Sequence, residues 1–121
     1  MLIGPDGKRP GRLSRKYDAQ FHPWRRNLPD ADYQEVEARI ADYCEAHDHT
    51  AVRYFAAGDW TGSPWEPLLR ACAGDREDAA KFLGQILWRF LDECEATWWF
   101  RPPARLDDEP VGMEYHKHRS R

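Results

Sequence analysis

The sequence predicts a mainly α fold: a compact domain of three to four helices with room for a short C-terminal β-hairpin, an α+β arrangement being the alternative. Three observations lead there. Apolar residues recur at helical spacing over residues 30–46 and again over residues 76–95. Capping residues and glycine stop signals bracket these stretches. An aromatic run, Thr97-Trp98-Trp99-Phe100-Arg101, favours extended chain and is stopped by Pro102-Pro103.

A chain of 121 residues fits one domain, long enough to fold without disulfides or metal. Its hydrophobic fraction of 41% is modest, but 16 aromatic rings supply much buried area, so disorder throughout is not expected. Residues 1–27 hold Pro5, Pro10 and Pro23 with Gly4, Gly7 and Gly11 and follow no apolar period. They read as a basic, partly disordered N-terminal arm, with Tyr17, Phe21 and Trp24 able to anchor its later part. Residues 28–121 read as a single globular domain, mostly helical, with an extended C-terminal segment.

The elements of that domain follow in order. Over residues 30–46, Tyr33, Val36, Ile40, Tyr43 and Cys44 form one apolar face, with Asp30 or Asp32 able to cap the start. Residues 50–57 are ambiguous between helix turn and strand, and a helix ended by Gly58 is preferred. Ser63-Pro64-Trp65-Glu66 reads as a capping box opening a helix that runs to about Ala73, where Gly74 stops it. Asp75 caps the strongest helix, residues 76–95, with Glu77 and Asp78 at its positive end. Its apolar stripe is Ala79, Phe82, Leu83, Ile86, Leu87, Phe90, Leu91 and Cys94. After the 97–101 strand, residues 102–110 read as a surface loop. Residues 111–118 alternate weakly, with Met113 and Tyr115 on one face, and can return as an antiparallel partner.

Charge is segregated along the chain. Residues 1–30 carry seven Lys/Arg against three Asp/Glu, residues 31–114 eight against eighteen, and residues 115–121 three against none. No N-terminal apolar run follows the early basic residues, and no apolar stretch is long enough to span a bilayer, so a cytoplasmic protein without membrane association is expected. Cys44, Cys72 and Cys94 are odd in number and widely spaced, which suits reduced thiols rather than a disulfide framework.

No reaction is specified. G-x-S-x-G, H-E-x-x-H and phosphate-loop patterns are absent, and Ser63 is explained as a helix cap, so neither an enzyme nor a cofactor is expected. Cys44, His47 and His49 lie close in sequence, and His116 and His118 offer further nitrogens. They lack the paired C-x-x-C or H-x-x-x-H spacing of zinc knuckles, and no metal is expected.

The strongest functional signal is Trp88, which lies roughly 150° from the apolar stripe of its helix, on the side of Lys81, Gln85 and Asp92. A rigid ring with a polar edge suits a binding hot spot. The expected function is therefore a small, tryptophan-rich, regulatory or protein-binding module that presents Trp88, Gln85, Lys81 and Asp92 to another protein or to a second copy of itself. Trp60 and Trp65, in the preceding loop, extend that surface, whereas Trp98 and Trp99 are expected in the core. The alternative is nucleic-acid binding by the arm, through Lys8, Arg9, Arg12, Arg15, Lys16, Arg25 and Arg26. A further alternative is an acidic inhibitor whose Glu35, Asp42 and Glu45 imitate a row of phosphates.

Overall fold

The computed structural model describes residues 1–5, 7–9, 15–101 and 112–118. Its elements are β1 (Leu2–Ile3), α1 (Arg15–Asn27), α2 (Asp30–Ala46), β2 (His49–Thr50), α3 (Val52–Phe55), α4 (Glu66–Ala71), α5 (Arg76–Glu93), β3 (Trp98–Arg101) and β4 (Glu114–Lys117). The fold is mainly helical with a small four-stranded sheet, as the sequence predicts.

Local sequence accounts for most helix ends. Residues Asp30 and Asp32 lie inside the first turn of α2, where they complement the helix dipole; no side chain caps it. The predicted capping box does not cap α4, which starts at Glu66 with no side-chain cap; instead Ser63 Oγ accepts from the Trp65 amide at 3.1 Å and Glu66 Oε2 from the Gly62 amide at 3.3 Å, closing the turn before it. Gly74, at φ 82°, turns the chain out of α4 and donates to the Leu69 carbonyl at 2.7 Å. Asp75 Oδ1 accepts from the Asp78 amide at 2.9 Å and starts α5.

The N-terminal segment departs from expectation. Its later part is a helix rather than an aperiodic segment: Leu2 is fully buried in strand β1, α1 carries Phe21 into the core as its expected anchoring allows, and Leu28 is buried just past the helix end. Phe21 meets Phe82 edge-on at 5.6 Å, and Arg89 lies over the Phe21 ring while reaching Asp18 at 2.8 Å. Pro23, inside α1, hides this helix from a reading in which proline is a breaker; tertiary packing offsets the backbone hydrogen bond it removes.

The sheet gathers four distant segments in the order β1-β3-β4-β2. β4 runs antiparallel to β3 with Trp99 opposite His116 and Phe100 opposite Tyr115. β1 joins β3 in parallel, and β2 joins β4 in antiparallel fashion. The period of two then decides burial: Leu2, Thr50, Trp98 and Tyr115 face the helices and are buried, whereas Trp99 and His116 face outward. The β2 and β1 strands, two residues each, were not foreseen. The expected loop at 102–110 lies outside the described residues.

α5 is the axis of the fold. It contacts α1, α2, α3 and α4, and every residue from Phe82 through Leu87 to Trp88 is buried, which spans the whole circumference of the helix. Among the described residues no helix is long and apolar enough to cross a membrane.

Candidate functional site

The expected Trp88 surface is not a surface. Trp88 is only 7% exposed, its ring 4.9 Å from Phe100 of β3. Gln85 is fully buried and donates to Gln20 of α1 at 3.3 Å. Lys81 and Asp92, at the margins of this face, engage the chain itself: Lys81 reaches Glu77 at 4.0 Å, and Asp92 accepts from Arg9 at 3.0 Å. The reason is a second layer. A helix with one apolar stripe leaves its far side to solvent, but here α1 and the sheet cover the far side too.

Trp60 and Trp65 are likewise buried, at 1% and 8% exposure. The Trp60 indole nitrogen donates to the Ala56 carbonyl at 2.7 Å, and Arg76 lies over its ring at 3.9 Å. Phe55 meets Trp65 at 5.4 Å. These two rings hold the 58–65 loop against α3 and α5 rather than presenting it.

The basic residues are also partly engaged. Arg9 pairs with Asp92, and Arg25 donates to Asp30 at 2.8 Å and to the Leu28 carbonyl at 3.0 Å while covering the Tyr33 ring. Arg26 is exposed at the end of α1. Arg12 and the side chains of Arg15 and Lys16 lie outside the described residues. On α2, Glu35, Asp42 and Glu45 are exposed as expected, with Glu35 paired to Arg39 at 2.9 Å.

What the fold does present is the outer face of the sheet. Trp99 is 38% exposed, and with Pro5, Phe100 and His116 it lines a cavity of about 220 Å³. His118 approaches its ring at 6.0 Å. Sequence reasoning placed Trp99 in the core beside Trp98; strict alternation along β3 was the signal that separates the two rings.

Along the same face, β2 and β4 bring His49, Glu114 and His116 together. The register sets His49 directly opposite His116, and their rings stack with centroids 4.1 Å apart and 13° between planes. Glu114, two residues before His116, shares its face. One carboxylate oxygen of Glu114 is held by Arg53 and by the Tyr54 hydroxyl, which donates at 3.2 Å. The other oxygen lies 3.7 Å from His49 Nε2, too far for a hydrogen bond. Among the described residues, Cys44, His47 and His49, neighbours in sequence, are not gathered into such a cluster. Cys44 is buried on α2, where burial pushes its thiol up to about 12, and its carbonyl accepts from Lys117 at 2.6 Å. His47 stacks on Tyr43 at 4.0 Å. Nothing in the local sequence around His49 signals Glu114, 65 residues away; only strand pairing does.

Comparison of the chain with protein-family models, curated proteins and solved structures finds no match.

Proposed function

We propose that the protein is a non-catalytic interaction module whose docking surface is the outer face of the sheet around Trp99. Its partner is a protein segment that carries one apolar side chain among acidic residues. The observation behind this reading is the half-open Trp99 ring beside a cavity of about 220 Å³. Such a volume is smaller than the roughly 300–1,000 Å³ of a typical small-molecule site and suits a single side chain of a larger partner. An indole fixed in a strand loses little rotamer entropy on binding, the property that makes tryptophan a frequent hot spot.

Charge supports an acidic partner. β1 belongs to the segment with seven Lys/Arg against three Asp/Glu, and β4 leads into the segment with three Lys/Arg and no acid. The topology places both strands beside Trp99's own strand, β3, and the basic excess of the sequence segments that contain them is the reason for preferring an acidic partner. Complementary charge steers encounter and discriminates against wrong partners.

The same exposed ring also favours a second reading, single-stranded nucleic acid stacked on Trp99. Both are tested together. Peptides displayed on phage are selected on the immobilised full chain, and the best peptide and a labelled oligothymidylate are titrated against wild type and Trp99→Ala by fluorescence anisotropy. An acidic peptide with an apolar anchor, bound about tenfold more weakly by Trp99→Ala, is the expected result. Failure to enrich such a peptide, or indifference to Trp99→Ala, refutes the docking surface. Salt-sensitive oligothymidylate binding that disappears in Trp99→Ala puts the second reading in its place.

A further inference from the structure

We infer that His49, Glu114 and His116 form a binding site for a divalent transition-metal ion, with Zn²⁺ the best match to the donor set. The three side chains offer two imidazole nitrogens and one carboxylate oxygen, and their ligand atoms all lie within 4.8 Å of one another. Ligands of a tetrahedral zinc ion stand about 3.4 Å apart, a difference that side-chain rotation closes. Nitrogen and oxygen donors together select zinc and its neighbours over calcium and magnesium, which take oxygen alone. Three protein ligands leave a fourth position for water or for a donor from outside the chain.

Two details separate this cluster from an incidental meeting of exposed side chains. His49 Nε2 is buried without a hydrogen-bond partner and lies 3.7 Å from the Glu114 carboxylate. Glu114 is already oriented: Arg53 and the Tyr54 hydroxyl hold one oxygen, which turns the other toward His49. Outer contacts of this kind fix the direction of a ligating carboxylate. The hairpin-like register does the rest, because cross-strand pairing of His49 with His116 is set by the backbone and does not depend on flexible loops.

The geometry also states what binding changes. The two rings lie 13° from parallel with centroids 4.1 Å apart, and binding is expected to turn the His116 ring and open the stack. A zinc ion with two neutral imidazoles and one carboxylate retains a net positive charge, and the Arg53 guanidinium stands next to it. Arg53 therefore orients Glu114 and at the same time weakens the site electrostatically.

The test is isothermal titration calorimetry of the untagged, chelator-treated full chain with zinc chloride, and it needs no partner, so it is independent of the docking surface. One equivalent of Zn²⁺ is expected, bound about tenfold or more weakly by each of His49→Ala and His116→Ala and about as in wild type by His47→Ala. Arg53→Gln is expected to bind about threefold or more tightly. In parallel, the imidazole resonances of His49 and His116 shift on zinc addition while that of His47 does not. The circular dichroism melt of each variant shows that it is folded. Binding that is substoichiometric, that survives both His49→Ala and His116→Ala, or that is lost in His47→Ala overturns the site.

Discussion

Replacing Trp88 by alanine tests the central rearrangement, that α5 is enclosed on all sides. An indole buries about 150–250 Å², which at about 25 cal/mol per Å² corresponds to roughly 4–6 kcal/mol of transfer free energy. Cores relax partly and the denatured chain already buries some area, so measured losses for large aromatic to alanine changes run about 3–5 kcal/mol. With 93% of its surface covered and Phe100 as a ring partner, Trp88 belongs in that range. Trp99, at 38% exposure and facing solvent, belongs near 1 kcal/mol. Urea unfolding followed by far-ultraviolet circular dichroism measures both. Trp88→Ala is expected to lower the midpoint by at least twice as much as Trp99→Ala, with similar m values, and to reduce Tm by about 12–20 °C. Since domains of this size are stable by only about 5–15 kcal/mol, Trp88→Phe, expected to cost about 1–2 kcal/mol, provides a milder version that stays folded. A Trp88→Ala loss below about 1 kcal/mol, or one equal to that of Trp99→Ala, refutes the enclosed helix.

Three further outcomes follow from individual contacts. The Tyr115 hydroxyl is fully buried without a hydrogen-bond partner, and burial raises its pKa, so Tyr115→Phe is expected to stabilise the fold by about 1 kcal/mol in the same urea titration; destabilisation would contradict the unpartnered hydroxyl. Burial pushes the Cys44 and Cys72 thiols up to about 12, so at pH 8 a disulfide reagent is expected to label both only on unfolding, with the half-buried Cys94 reacting first. The hydrogen bond from Arg89 holds the Asp18 carboxyl below its ordinary value. A lowered folded pKa contributes stability above the unfolded value, about 3.9, and that contribution disappears as pH falls through the folded value. Asp18→Asn is therefore expected to flatten the fall in stability below about pH 4, and an unchanged acid limb would count against the pair.

Legibility in the sequence tracked the range of the forces involved. α2 begins and ends at the residues its apolar period marks, Asp30 and Ala46, because periodicity is local. The pairing of residues 114–117 with 98–101 was legible from Met113 and Tyr115 on one face. α1 was not, because Pro23 and the scattered glycines outweigh a short amphipathic pattern whose stability comes from Phe82 and Arg89. Trp88 misled for a related reason. Periodicity reports how many faces a helix could bury, but whether a second layer exists depends on elements tens of residues away. The cluster of His49, Glu114 and His116 lies wholly beyond local reach, since its members meet only through β2–β4 register.

The sheet also imposes an order on synthesis. β1 is made first, yet its parallel partner at Trp98 and Trp99 follows about 95 residues later, and β3 in turn pairs with β4. During elongation Leu2 has nothing to pair with, and α5 emerges with Trp88 and its apolar stripe uncovered before the strands that cover Trp88 exist. Such non-local closure slows folding and leaves an interval in which a nascent chain is open to aggregation. A polypeptide ending between α5 and β3 should thus be a substrate for chaperones or proteases, while a few more strands' worth of translation makes the same helix inaccessible to either.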